Sequence, residues 1–351
     1  MVAPSTEPVR WGILGAANIG VKKVIPAMQR GTRSRVVAIA SRDLAKAQAA
    51  ANELGIPRAY GSYEELLADP EIEAIYNPLP NHLHVPWTIR AAEAGKHVLC
   101  EKPIALSASE ARTLLDVRAR TGVQIGEAFM VRNHPQWLAV RDLVASGRIG
   151  DLRVVAGHFA YFRRDPNDVR SVPEWGGGGL MDVGCYPITM TRWLFAEEPE
   201  AVIGIIDRDP ELKIDRIVSA LMRFPSGRQA TFTCAMQLVH YQRMQLHGTA
   251  GRIEVQIPFN APNDRPCRIF VDDGRALGER TAEAIDFPVV DQYTLQGDNF
   301  SAAVRGEREV PVSVEDAAAN MAVIDAVFRS AESGGWEGPA QGTAVLGTKY
   351  D

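Results

Sequence analysis

In the first 127 residues, short apolar runs alternate with capped helical patterns, and no other feature restricts the fold so strongly. Residues 9–14 (VRWGIL), 35–40 (RVVAIA), 73–77, 97–99 and 123–127 read as buried strands. Helical patterns fall between them. One ends at Met28, and 44–54 follows the N-cap residue Asp43. Another runs from Ser62 to Ala68, one ends at Ala94, and 107–121 opens on the capping box Ser107…Glu110. Repeated alternation with short connections predicts an α/β domain, a doubly wound parallel sheet of the dinucleotide-binding (Rossmann) kind. Right-handed crossovers place every strand's carboxyl end on one edge, where open sheets bind ligands.

Four segments converge on that edge. The first is the turn Gly15, Ala16, Ala17, Asn18, Ile19, closed by Gly20. It offers close backbone approach and a helix N-terminus for a pyrophosphate, with Ala17 where the middle glycine usually stands. The second is Ser41-Arg42. An acid at this position would hold the ribose hydroxyls of NAD, whereas arginine beside a small polar residue suits the 2′-phosphate of NADP. Asp43 reads as a helix cap, and Lys46 adds charge one turn on, so NADP is expected ahead of NAD. The third is the loop Pro78, Leu79, Pro80, Asn81 to His84. His82 and His84 lack a nearby third ligand, so cofactor contacts are expected there and no metal. The fourth is Cys100-Glu101-Lys102-Pro103, which fixes a lysine at the sheet edge beside a glutamate able to hold it.

After Met130 the pattern changes. Arg132 precedes a helix at 137–146, a period-two strand at 152–162 and a polar loop at 165–175. The run Gly176–Gly179 reads either as a flexible linker or as backbone closing over a ligand. An apolar helix at 180–195 carries Asp182 and Tyr186 on one face, with Pro187 expected to kink it. On spacing alone Tyr186 reads as a core tyrosine with a satisfied hydroxyl. Strands at 201–206, 216–224, 229–237, 243–248, 252–257 and 268–271 predict a large, mostly antiparallel open sheet in an α+β second domain. Helices at 293–304 and 314–333 follow, and 338–351 reads as a loose tail. The expected domains are 1–129 and 130–351. The outer face of a broad sheet needs cover, which predicts a homo-oligomer, a dimer or dimer of dimers, through it.

The totals exclude several classes. The chain has 351 residues, and its net charge of −5 leaves no basic field for nucleic acid. Four cysteines without CxxC spacing read as reduced thiols of a cytoplasmic protein. No run reaches the roughly 18 apolar residues of a membrane span, and residues 1–8 do not form a secretory signal.

The segments Gly12–Gly20, Pro80-Asn-His-Leu-His84, Ala94–Pro103 and Gly177–Pro187 stand in the order of a known family. Through them the chain resembles the Gfo/Idh/MocA oxidoreductases, most closely the branch of NADP-dependent D-xylose dehydrogenases, dihydrodiol dehydrogenases and glucose-fructose oxidoreductase. The resemblance implies that Lys102 and Tyr186 face the nicotinamide, with Asp182 beside them and Arg170 as a further substrate contact. It also implies cofactor contacts from Glu101, Lys102 and Arg132. The implied reaction is hydride transfer between NADP and a carbinol carbon of a small sugar (an aldose such as D-xylose or glucose) or a diol. Tyr186 would act as acid/base assisted by Lys102. A sugar–sugar oxidoreductase that never releases NADP(H), and a non-enzymatic dinucleotide sensor on the same fold, are the alternatives.

Overall fold

The computed structural model of the protein describes residues 7–276 and 281–340. The described residues of Met1–Asn133 and Asp291–Ala317 form one compact unit, and those of His134–Val290 and Ala318–Asp351 form another. Residues 291–317 thus return to the first unit, which the linear division at 129/130 did not anticipate.

In the first unit the elements are β1 (Val9–Leu14), α1 (Ile25–Arg30), β2 (Ser34–Ala40), α2 (Leu44–Leu54), β3 (Arg58–Tyr60), α3 (Tyr63–Ala68), β4 (Ala74–Asn77), α4 (His84–Glu93), β5 (His97–Cys100), α5 (Ala108–Thr121) and β6 (Ile125–Glu127). The sheet order is β3-β2-β1-β4-β5-β6, with every pairing parallel. The expected doubly wound sheet is therefore present. Its three-residue β3 was missed because Arg58-Ala59-Tyr60 is too short to show a period. Helix starts follow local chemistry. Asp43 accepts from the amides of Ala45 and Lys46, Ser62 from Glu65, and Ser107 from Glu110. Trp11, Ile13, Ile39, Tyr76 and Leu99 build the core with Val24 and Met28.

The second unit begins with α6 (Pro135–Ala145), β7 (Leu152–Phe162) and α7 (Cys185–Phe195). It continues with β8 (Ala201–Arg208), β9 (Asp215–Arg223), β10 (Gln229–Ala235), β11 (Gln237–Gly248), β12 (Arg252–Val255), β13 (Cys267–Asp272) and β14 (Glu283–Phe287). The sheet order is β14-β13-β12-β11-β7-β10-β9-β8. All neighbours are antiparallel except β10 and β7. The strand expected at 229–237 ends at Ala235 as β10, and β11, expected at 243–248, already begins at Gln237 after the single residue Met236. Strand β14, of mixed polarity, was missed. Phe162 is 70% exposed, Ile205 76% and Val239 82%, apolar side chains left open on β7, β8 and β11.

Two later helices, α8 (Gln292–Val304) and α9 (Val314–Ser333), complete the chain. Helix α8 lies in the first unit, where Phe300 meets Trp11 with ring centroids 5.5 Å apart. Ser301 Oγ accepts from the Trp11 indole at 3.1 Å and shares a hydrogen bond with Ser34 Oγ at 2.9 Å. Residues 341–351 of the expected tail lie outside the described residues. Among the described residues no helix is long and apolar enough to cross a membrane.

Candidate functional site

Candidate site residues occur in both units, and each set is described by itself. In the first, the turn after β1 is built on Gly15. Its φ of +85° is left-handed, and a Cβ there would lie 3.0 Å from Leu79 Cδ2. Its amide donates to Ala40 O at 2.8 Å, which ties the ends of β1 and β2. Ala17 O accepts from Val21 N at 3.0 Å, so a helix starts within the turn, and the first amides of a helix have no acceptor inside it. Ala16, Ala17 and Ile19 are half-buried and Asn18 is exposed. This is the arrangement a pyrophosphate requires.

At the end of β2, Ser41 is pinned by Tyr60 O and its hydroxyl accepts from Asp43 N at 3.2 Å. Asp43 is engaged with the α2 amides, so the acid near this strand end has other work. Arg42 and Lys46 are exposed. The Arg42 guanidinium reaches the Tyr63 hydroxyl and counters the rise in its pKa that burial causes. That hydroxyl is 3.5 Å from where a Gly15 Cβ would stand, so Arg42, Tyr63 and the Gly15 turn are neighbours.

The loop after β4 is held from inside. Asn77 Nδ2 donates to His84 O at 3.1 Å, and Leu79 N donates to Asn77 Oδ1 at 3.3 Å. Pro78 and Leu79 are buried, whereas Pro80 and Asn81 are partly exposed. His84 is buried, its Nε2 2.6 Å from Leu79 O and its Nδ1 2.7 Å from Pro103 O. Burial drives its pKa down to about 4. At neutral pH the ring has one N–H and grips one carbonyl at a time. His84 thus joins the Leu79 loop to the Lys102–Pro103 turn, and its side chain faces backbone, where a cofactor contact was expected. Glu101 accepts from the Tyr76 hydroxyl at 2.6 Å, and Ile104 N donates to Glu127 Oε1 at 2.7 Å, steadying the turn on either side of Lys102. Arg132 lies against Asp316 at 2.8 Å, largely buried.

In the second unit, Asp182 is the hub. Its Oδ1 is 3.0 Å from Arg170 Nε, and its Oδ2 accepts from the Tyr161 hydroxyl at 2.5 Å. Asp182 is the chief cause that raises the Arg170 guanidinium. Burial, then Asp182, keeps Tyr161 protonated. Asp168 accepts from the Arg170 amide at 2.9 Å and also pairs with Arg163. Arg170 therefore sits between two carboxylates, a balance that suits hydroxyls better than an anion.

Tyr186 lies four residues beyond Asp182, among aromatic rings. Phe159 is 5.5 Å away edge-on and Phe259 5.4 Å away. The first turn, Leu180–Gly184, is wound wide, with Cys185 N donating to Leu180 O. The irregularity expected at Pro187 is thus taken up ahead of it. Gly157 makes room on β7, since a Cβ there would lie 2.8 Å from Pro187 Cβ.

The glycine run serves the chain itself. A Cβ on Gly177 would lie 2.5 Å from Arg170 O, and one on Gly178 would lie 1.9 Å from Asp215 Oδ1. Neither a slack linker nor a bare ligand cover describes it. Tyr161, Tyr63 and Asp215 were missed from sequence. Period two on β7 puts Phe159 and Tyr161 on one face, a signal that was available. Nothing local to Asp215 reveals its partner 35 positions earlier.

The model of the oxidoreductase family with an NAD-binding Rossmann fold matches residues 9–129, and that of the GFO/IDH/MocA C-terminal domain matches 137–254. The uncharacterized oxidoreductase ORF334 of Rhizobium meliloti is 51% identical, covering 94% of this chain and 98% of its own. D-xylose 1-dehydrogenase (NADP(+)) 2 of Haloferax volcanii is 39% identical, over 92% and 98% respectively. Among solved structures, the 3-ketoreductase KijD10 of Actinomadura kijaniata, in complex with NADP and TDP-benzene, superposes with a TM-score of 0.86. It is 29% identical and covers 92% of this chain and 98% of its own. The chain belongs to the Gfo/Idh/MocA family of oxidoreductases.

Proposed function

We propose that the protein is an NADP-dependent dehydrogenase or reductase acting on a CH–OH carbon of an uncharged small sugar, an aldose such as D-xylose or glucose, or a related diol. The observation that carries the reading is the Arg170–Asp182–Tyr161 set, whose Asp182 lies on the segment that bears Tyr186. It is a charge-balanced, hydroxyl-seeking group beside a tyrosine able to exchange a proton. NADP, when bound, supplies the hydride site. Gly15, Ala16, Ala17, Asn18 and Ile19 would cradle its pyrophosphate. Ser41, Arg42 and Lys46 would hold the 2′-phosphate, with Pro78, Leu79, Pro80, Asn81, Glu101 and Arg132 lining the remainder. Tyr186 takes the hydroxyl proton during oxidation and returns it during reduction. Lys102 favours the phenolate by its charge, and Asp182 with Arg170 orients the sugar hydroxyls.

The test is a panel of free aldoses, diols and nucleotide-linked sugars with NADP and NAD, read by reduced-nicotinamide absorbance. Turnover of a free aldose or diol with NADP is expected. Turnover confined to nucleotide-linked sugars would refute the substrate class. In the same assay Arg42→Ala should raise KM for NADP about tenfold to a hundredfold, the worth of a charge-assisted phosphate contact, and leave NAD within about twofold. Equal losses would remove Arg42 from the 2′-phosphate.

The open apolar side chains of β7, β8 and β11 support a second element of the proposal, self-association through the second sheet. Light scattering at micromolar concentration is expected to give a dimer or a multiple of it. A monomer would count against this face.

A further inference from the structure

We propose that Asp215 is a positioning residue for the segment that carries Asp182 and Tyr186. Asp215 opens β9 and is 2% exposed. Its Oδ2 accepts from Leu180 N at 2.6 Å, the amide two residues before Asp182. Leu180 begins the wide turn that leads into α7 and Tyr186. A carboxylate in this place meets the positive end of the helical segment and forms a charge-assisted hydrogen bond.

The glycines are shaped to the same group. Gly178 has φ +118°, and a Cβ there would overlap Asp215 Oδ1. A Cβ on Gly179 would lie 3.3 Å from Asp215 O. Asp182 N in turn donates to Gly178 O at 3.1 Å, so the cradle and the substrate-facing acid share one piece of backbone. The glycine run thus folds around an internal carboxylate.

Burial raises the Asp215 carboxyl to about 6, against the pull of the Leu180 and Gly179 amides and of Arg208 on β8. Cys234 on β10 also feels its charge. The sign follows. Because the folded value lies above the unfolded one of about 3.9, this group's contribution to stability is fully present below the unfolded value. It is lost as pH rises through about 6. The ionised form costs stability and grips Leu180 more firmly. Below that pH the grip weakens and the segment is held less well.

The activity arm of the test rests on the proposed function; the spectroscopic arm does not. In the full chain labelled with 15N-leucine and ring-labelled tyrosine, the Leu180 amide and the Tyr186 ring are expected to shift together with one midpoint at about 6. Both shifts should vanish in Asp215→Asn. A Leu180 amide that does not move, or one that moves while Tyr186 stays still, overturns the proposal, and both outcomes are read in the unmutated protein. Should no sugar be turned over, the proposed function fails and these shifts still decide the role of Asp215. Given turnover, Asp215→Asn should lower kcat about tenfold at pH 8 and leave KM for NADP within about twofold, through loss of the charge on the acceptor. Asp215→Asn with wild-type kcat at both ends of the pH range would also overturn it.

Discussion

Tyr186→Phe is expected to abolish most turnover, about a hundredfold to ten-thousandfold in kcat, while NADP still binds. The substitution removes one oxygen and keeps the ring that packs on Phe159 and Phe259, so fold and cofactor affinity have little reason to change. The magnitude comes from proton transfer. A free tyrosine titrates near 10, about three units above neutral, and each unit costs about 1.4 kcal/mol. Making the phenolate unaided would therefore cost about 4 kcal/mol. Lys102→Ala should remove the help and lose a comparable factor. On the proposed pairing of Lys102 with Tyr186, the double variant should lose little more than either single one. Steady-state kinetics with equilibrium NADP titration checks this. Near-normal kcat in Tyr186→Phe would remove that residue from the chemistry, and fully additive losses would show that Lys102 and Tyr186 act independently.

Gly178→Ala should carry the largest stability cost of any single methyl group considered for the second unit. The backbone there sits at φ +118°, where a side chain adds about 1–3 kcal/mol of strain. The new Cβ would stand 1.9 Å from Asp215 Oδ1, so the buried carboxylate must move and its bond to Leu180 N weakens, about 1–3 kcal/mol more. A melting-temperature fall of roughly 5–15 °C is expected by calorimetry. Gly227→Ala supplies the control. Its φ is +81°, yet nothing lies within 4 Å of the added carbon, so only the conformational term applies. Equal losses in the two variants would show that the Asp215 contact contributes nothing.

The first unit was largely legible because its signals are local. Asp43, Ser62 and Ser107 announce helix starts through bonds to amides two or three residues on, and the structure makes each of those bonds. The parallel sheet followed from alternation alone. What resisted reading depends on partners far away in sequence. Asp215 meets Leu180 and the glycines only after β9 is laid beside the start of α7. Likewise, the His84 ring reaches Pro103 across 19 positions, and nothing in the Pro80-Asn-His-Leu-His84 pattern tells a backbone brace from a ligand contact. The early start of β11 at Gln237 was hidden because residues 237–242 mix polar and apolar side chains without a clean alternation.

The return of α8 to the first unit bears on how the molecule can be dissected. Trp11, on the central strand, rests its indole N–H on Ser301 and its ring on Phe300. A fragment ended after residue 129 would strip this cover and leave a hydrophobic wall and an indole donor facing solvent. The nucleotide half, taken by itself, is therefore a poor module for grafting or expression. Its continuity runs through the last third of the polypeptide, and a working excision must stitch residues 291–317 back on.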